Sequence, residues 1–191
     1  MKHNWCLHLG FFNNQHIDKI VEFFDSNYTL QPGRLGVGNN IINEVVRGCE
    51  VTWVGLTAED QFLRDKLWKH AQLVNSEAFG FDIQLLEPLQ YTVYNGENED
   101  HYTWHRDTYF TSNKMYDRKL TIIMQLSDSD DYEGGDLLLE DDFTPAKPIQ
   151  NEVRSKGSIL VFPSFVKHTV TPVTKGIRRT LVAWAIGPHF R

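Results

Sequence analysis

Hydrophobic and polar positions change their period near residue 86. Upstream, the apolar residues Ile17, Ile20, Val21 and Phe24 recur at helical spacing, and Asn14 is the expected cap of that helix. A second helix is expected over 57–79. Thr57 would start it, Glu59 and Asp60 would complement the dipole of its first turn, and Phe62, Leu63, Leu67, Ala71 and Val74 would form its buried face. Between the two, residues 31–40 are rich in Gly and Asn and read as a loop, and Glu50-Val51-Thr52-Trp53-Val54 alternates like a strand. Downstream the pattern becomes short strands with turn signals. Leu89–Tyr94 is one, followed by the loop Asn95–Asp100 and a segment carrying His105. Leu120–Leu126 is strongly apolar and β-branched; Asp136–Glu140 follows the acidic stretch Ser127–Asp131 and the pair Gly134-Gly135. Ser158–Phe162 leads to Pro163, and Thr180–Ile186 closes the series.

Six or so strands after two helices predict an α+β, mainly β fold. Its core would be a jelly roll, a double-stranded β-helix, with the N-terminal helices packed on one sheet. One domain over 1–191 is expected, with 1–86 as helical support and 87–191 as the jelly-roll core; no repeat, low-complexity tract or linker divides it.

Composition adds exclusions. A net charge of −6 gives no overall basic field for nucleic acid. Cys6 and Cys49 match no metal spacing or disulfide framework and read as free thiols in a reducing compartment. The start, MKHNWCLHLG, has no apolar signal core, and no segment reaches the roughly 18 apolar residues of a membrane span. A soluble protein of cytoplasmic type, without a membrane partner, is the expectation.

Candidate chemistry centres on His105-Arg106-Asp107, with His168 downstream and Arg178 ten residues beyond that. Two imidazoles and a carboxylate can occupy one face of an octahedral metal and leave three positions open, the arrangement that suits non-haem Fe(II) oxygenases. A cationic fork beside such a metal can hold the far carboxylate of an acidic co-substrate. Each element has a plainer reading: a surface His/Asp pair, a core-edge histidine, an arginine in an ordinary salt bridge. Found together and in order, they favour the metal site. Arg179 competes with Arg178, but strand alternation sends the two to opposite faces, and Gly176-Ile177-Arg178 favours the latter. The carboxylates Asp128, Asp130, Asp131 and Glu133 lack a calcium-loop pattern and read as a solvated turn.

From about Tyr91 onward the chain resembles the Fe(II)- and 2-oxoglutarate-dependent dioxygenases of the prolyl-4-hydroxylase-like branch, of bacterial or phage type. The resemblance rests on Tyr102-Thr-Trp-His105-Arg-Asp107, Gly134-Gly135, His168, Pro172, Gly176, Arg178 and Trp184, and on Arg47–Trp53 as the strand before the long helix. It implies that His105, Asp107 and His168 are the catalytic metal ligands for Fe(II). Arg178 would take the 5-carboxylate of 2-oxoglutarate, helped by a hydroxyl from Thr121 or Tyr94; the loop before His105 is about two residues longer than usual, which leaves Tyr91 as a second choice for that tyrosine. Tyr102 and Trp184 would wall the substrate pocket, with 108–117 as a lid. Dioxygen is the other co-substrate and ascorbate an accessory reductant. The implied reaction hydroxylates an unactivated C–H and releases succinate and CO₂, and retention of Asp107 argues against halogenation.

The implied substrate is a peptide or protein containing proline. A free amino acid or other small molecule is the alternative, and a non-oxidative metal-binding cupin the alternative from another class. Nucleic-acid demethylation is disfavoured, since Ala185 stands where that branch carries a second arginine and the chain is acidic.

Overall fold

Strand alternation and one long central strand decide where the site lies. The computed structural model describes residues 4–35, 41–54, 57–108, 115–140 and 150–190. Among them are the helices α1 (Asn14–Asn27), α2 (Ala58–Val74) and α3 (Gln150–Val153). The strands are β1 (Cys6–His8), β2 (Gln31–Pro32), β3 (Arg47–Gly48), β4 (Glu50–Val54), β5 (Leu85–Leu86), β6 (Leu89–Asn95), β7 (His101–His105), β8 (Asp117–Gln125), β9 (Tyr132–Gly134), β10 (Leu137–Leu139), β11 (Ile159–Pro163), β12 (His168–Val170) and β13 (Val173–Gly187).

The larger sheet runs β1-β11-β8-β13-β6-β4-β2, with β5 and β9 also paired to β13; the smaller runs β10-β12-β7-β3. All of these pairings are antiparallel. The double-stranded β-helix with supporting helices on one sheet is the observed architecture. On the helix side of the larger sheet lie Tyr91, Val93, Leu120, Ile122, Met124, Leu181, Ala183 and Ala185, packed with Ile17 and Phe24 of α1 and Leu63, Leu67 and Ala71 of α2. Alternate residues of the same strands, among them Tyr94, Ile123 and Val182, face the second cluster with Leu137, Leu139 and Val170 of the smaller sheet. Burial on both faces explains why β8 reads as a continuous apolar run rather than an alternating one.

Several local expectations are corrected. The cap of α1 is Asn13, whose side chain accepts from the His16 N–H at 3.0 Å; Asn14 is the first helical residue. Phe62, assigned to the buried face of α2, is 67 % exposed, because that face narrows to Leu63, Leu67, Ala71 and Val74. The helix over 57–79 is α2 followed by one π-helical turn, Asn75–Phe79, ended by Gly80 at φ 72°. Gln31–Pro32, inside the expected loop, pairs with β4 as an edge strand, and β1 pairs with β11 although no strand was expected there. Most of the expected lid, 109–114, lies outside the described residues. No helix among the described residues is long and apolar enough to cross a membrane. Cys6 and Cys49 are free.

Candidate metal centre and co-substrate pocket

Two neighbouring strands of the smaller sheet bring the imidazoles together. His105 ends β7, His168 begins β12, and the two are direct cross-strand partners with ring centroids 4.1 Å apart. Asp107 lies two residues past β7 and is tied down by its backbone N–H, which donates to the Ser164 carbonyl at 2.9 Å. His105 Nε2 and His168 Nε2 each stand 3.6 Å from an Asp107 carboxylate oxygen. One ligand atom from each of the three residues lies within 4.8 Å of the others. Among the described residues this is the one such group of His, Cys, Asp and Glu.

The shell around them fixes orientation. His105 Nδ1 bonds the Thr103 carbonyl at 2.8 Å and His168 Nδ1 the Val166 carbonyl at 3.1 Å. A carbonyl accepts only, so each Nδ1 carries the proton and each Nε2 keeps its lone pair for a metal. Asp107 Oδ2 accepts from Thr121 Oγ1 at 2.7 Å and from the Trp184 indole N–H at 2.9 Å. The Thr121 hydroxyl also meets Ser164 Oγ at 3.0 Å. Burial, then the neighbouring His168, pushes the His105 imidazole down to about 3. Burial alone would raise the Asp107 carboxyl, but the two imidazoles, Arg118 and the Trp184 indole outweigh it and hold it at about 2. A neutral imidazole beside an ionised carboxylate is the state that binds a metal cation. The donor set and the spacing fit Fe(II).

A cavity of about 860 Å³ opens over the triad, lined by all three residues and by Tyr94, Tyr102 and Trp184 among others. Tyr102 stacks on His105, with centroids 3.5 Å apart and planes at 15°. Trp184 packs against Trp53 and beneath the Arg118 guanidinium, whose carbon is 3.7 Å from the ring. Arg118 in turn forms an ion pair with Glu87.

Arg178 and Arg179 separate as alternation requires. Arg179 points to the helix side and pairs with Asp25 of α1 at 3.1 Å. Arg178 is 2 % exposed on the inner side, its guanidinium carbon 5.4 Å from the Tyr94 ring centroid. Its Nε has no hydrogen-bond partner among the described residues, and no carboxylate there forms an ion pair with it. A buried guanidinium left in that state fits an incoming carboxylate. Gly135, at φ 64°, permits the close approach: a Cβ there would fall 3.0 Å from Arg178 Cδ and 2.8 Å from Val173 Cγ2. Tyr94 and Tyr91 also separate by face. The Tyr91 hydroxyl donates to Asp25 at 2.7 Å on the helix side, whereas Tyr94 lines the cavity.

Of the site residues expected from sequence, His105, Asp107, His168, Tyr94, Tyr102 and Trp184 line the cavity; Thr121 and Arg178 lie outside its lining, against Asp107 and Tyr94, and Tyr91 lies on the helix side. Two contacts differ from expectation. Thr121, expected to offer its hydroxyl to 2-oxoglutarate, donates it to Asp107. Trp184, expected only to wall the pocket, also holds Asp107. Sequence reasoning missed Ser164, Gln90 and Arg47. Ser164 and the carbonyls of Thr103 and Val166 act through backbone or through a single hydroxyl, for which no sequence pattern exists.

Residues 89–186 match the 2OG-Fe(II) oxygenase superfamily. A PKHD-type hydroxylase of Idiomarina loihiensis is 32% identical over 130 residues, covering 66% of this chain and 53% of that protein. The chain spans 35% to 53% of the length of PKHD-type hydroxylases that it matches. A Pseudomonas putida prolyl-4-hydroxylase superposes with TM-score 0.70 at 21% identity, covering 96% of this chain and 92% of that one. A prolyl hydroxylase from Trichoplax adhaerens, solved with a hypoxia inducible factor oxygen degradation domain peptide fragment, superposes with TM-score 0.74 at 19% identity over 95% of this chain and 83% of that one. The matched span covers half of the chain and contains both imidazoles, the carboxylate and Arg178. The chain belongs to the 2OG-Fe(II) oxygenase superfamily.

Proposed function

We propose that this oxygenase hydroxylates a prolyl residue within a peptide or protein. The observation that carries the reading is the open, aromatic-walled cavity directly over the triad, bounded by Tyr102, Trp53, Trp184 and Tyr116. Proline fixes φ near −65° and removes an N–H, so an extended segment presents its rings to such walls with little ordering cost. The shared fold of the Pseudomonas and Trichoplax prolyl hydroxylases supports the same reading.

His105, Asp107 and His168 hold the iron, and Thr121 and Trp184 steady Asp107 from behind. Arg178 takes the 5-carboxylate of 2-oxoglutarate, with the Tyr94 hydroxyl beside it. Burial keeps that hydroxyl protonated by raising its pKa above the usual tyrosine range, against the opposing charges of Arg47 and Arg178. It can therefore donate to a carboxylate. Iron, 2-oxoglutarate and dioxygen together supply the oxidising power, yielding succinate, CO₂ and a hydroxylated C–H. Tyr102 positions the substrate beside the His105 ring it stacks on.

Incubation of the Fe(II)-loaded protein with 2-oxoglutarate and a panel of proline-containing peptides should give a product heavier by about 16 Da, the mass of one oxygen atom, with stoichiometric succinate. Succinate release stimulated by free amino acids and by no peptide would overturn the reading.

A further inference from the structure

We propose that Arg47 receives a carboxylate of the substrate, so that the oxygenase selects peptides carrying an acidic group next to the hydroxylated residue. This inference rests on the prolyl-peptide reading above for the chain that bears the carboxylate.

Arg47 is 9 % exposed, lies on β3 and lines the same cavity as the triad. Its contacts among the described residues are all to neutral groups. Nε donates to Cys49 Sγ at 3.1 Å, one terminal nitrogen to the Gln90 side-chain oxygen at 2.8 Å, and the other to the Arg34 carbonyl at 3.3 Å. No carboxylate forms an ion pair with it among the described residues. A guanidinium has five N–H donors, so with these three bonds each terminal nitrogen keeps one donor that no described residue takes, available to a carboxylate. Burying a cation without a counter-ion is costly, and a ligand carboxylate offsets that cost.

The lining offers no internal candidate. Glu87 is engaged by Arg118, Asp117 accepts from the Phe190 backbone N–H and meets His189, and Asp107 belongs to the metal site. Among the described residues, Arg34, Arg47 and Arg106 are lining cations without an ion pair, in a chain whose net charge is −6. The local field is therefore opposite to the global one, which points to selection at the site rather than general attraction. Arg47 is also distinct from the 2-oxoglutarate anchor. Arg178 sits on β13, behind Tyr94, and is absent from the cavity wall. Arg47 instead lies 4.7 Å from the centroid of Tyr102, the ring that stacks on His105. One ring separates the guanidinium from a metal-ligating imidazole, so a group bound there belongs to a residue adjacent to the reacting one. A side-chain carboxylate or a free C-terminal carboxylate has the same chemistry.

The test uses the whole chain loaded with Mn(II) and 2-oxoglutarate, and reads peptide binding by tryptophan fluorescence alongside hydroxylation by the Fe(II) form. Four proline peptides are compared: glutamate or glutamine beside the proline, each ending as acid or amide. The expected result is about tenfold or tighter binding of one acidic form over its uncharged isostere. The Glu/Gln arm reports a side-chain carboxylate, and the acid/amide arm a terminal one. Arg47→Gln should abolish that preference and Arg47→Lys restore part of it. Equal binding of all four peptides by the unaltered protein, which needs no variant to fold, would overturn the proposal. So would an equal loss for acidic and neutral peptides in Arg47→Gln, or a rise in its 2-oxoglutarate requirement larger than its loss of peptide preference. Hydroxylation of all four without preference removes the acidic site and leaves the prolyl reading standing. Arg47-dependent turnover of small carboxylates with no peptide turnover does the reverse.

Discussion

Asp107 Oδ2 takes hydrogen bonds from both Thr121 and Trp184, and each imidazole is held at Nδ1 by a carbonyl, so the ligating atoms are aimed by their surroundings. Substituting Ala at His105, Asp107 or His168 should abolish Fe(II)-dependent succinate release, and melting should lose its upward shift on adding Mn(II). Thr121→Val keeps the shape but removes one bond to Asp107; Mn(II) affinity should fall about tenfold in a metal titration. Arg178→Ala should raise the 2-oxoglutarate KM by roughly 30-fold or more, equivalent to about 2 kcal/mol for a lost charge-assisted pair. Arg179→Ala should leave that KM near its starting value and lower Tm, because its partner is Asp25 on α1. An unchanged KM in Arg178→Ala would reassign the inner face of β13. The identities of these residues were legible because their chemistry needs particular side chains in order. The role of Thr121 was not, since a threonine on an inner face can bond a ligand or a neighbour with the same sequence signature.

At the scale of elements, α2 shows what pattern reading catches and what it passes over. Its N-terminus lies at Thr57 as expected, but Asp60 does more than complement the dipole: it accepts from the Thr57 N–H at 2.9 Å and from the Tyr28 hydroxyl at 2.9 Å. Asp60→Ala should cost about 1–2 kcal/mol, read by urea unfolding. Periodicity could not tell that Phe62 faces solvent, because residues at i and i+1 both fall within a broad apolar stripe. His70 is buried in an aromatic cluster with Phe11 and His8. Burial, then His8, lowers its pKa to about 4. The unfolded chain takes up a proton near the ordinary histidine value of about 6.5, the folded chain only near 4. The unfolded state therefore binds more protons between those values, and stability falls as pH drops through that window. His105 adds to the same trend in metal-free protein. His70→Leu should flatten the decline of Tm between pH 6.5 and 4 in metal-free protein, followed by circular dichroism. A curve parallel to that of the unaltered chain would remove His70 from the acid response.

For the whole molecule, the switch of period near residue 86 separated the two long helices from most of the strands, although β1–β4 precede it and α3 follows it, and alternation placed Arg178 and Arg179 on opposite faces. Strand partners were not legible in that way. Nothing local to Cys6–His8 or Gln31–Pro32 marks them as edge strands, because two or three residues acquire extended structure only from a neighbour already in place. β13 is the central case. Only its second half was expected as a strand, yet it runs 15 residues, pairs with β8 on one side and β6 on the other, and carries Arg178 and Trp184. Among the described strands it is the last in sequence and a middle strand in space. The larger sheet cannot close until residues 173–187 have been synthesised, and the pairing of β6 with β13 joins segments separated by most of the jelly roll. Such distant contacts slow folding. On the ribosome the helices and earlier strands would wait, with apolar faces uncovered, for one strand to insert between them. Arg178 and the indole that steadies Asp107 arrive together on that strand, so the site is completed by the insertion of β13 and does not serve as a nucleus for the fold.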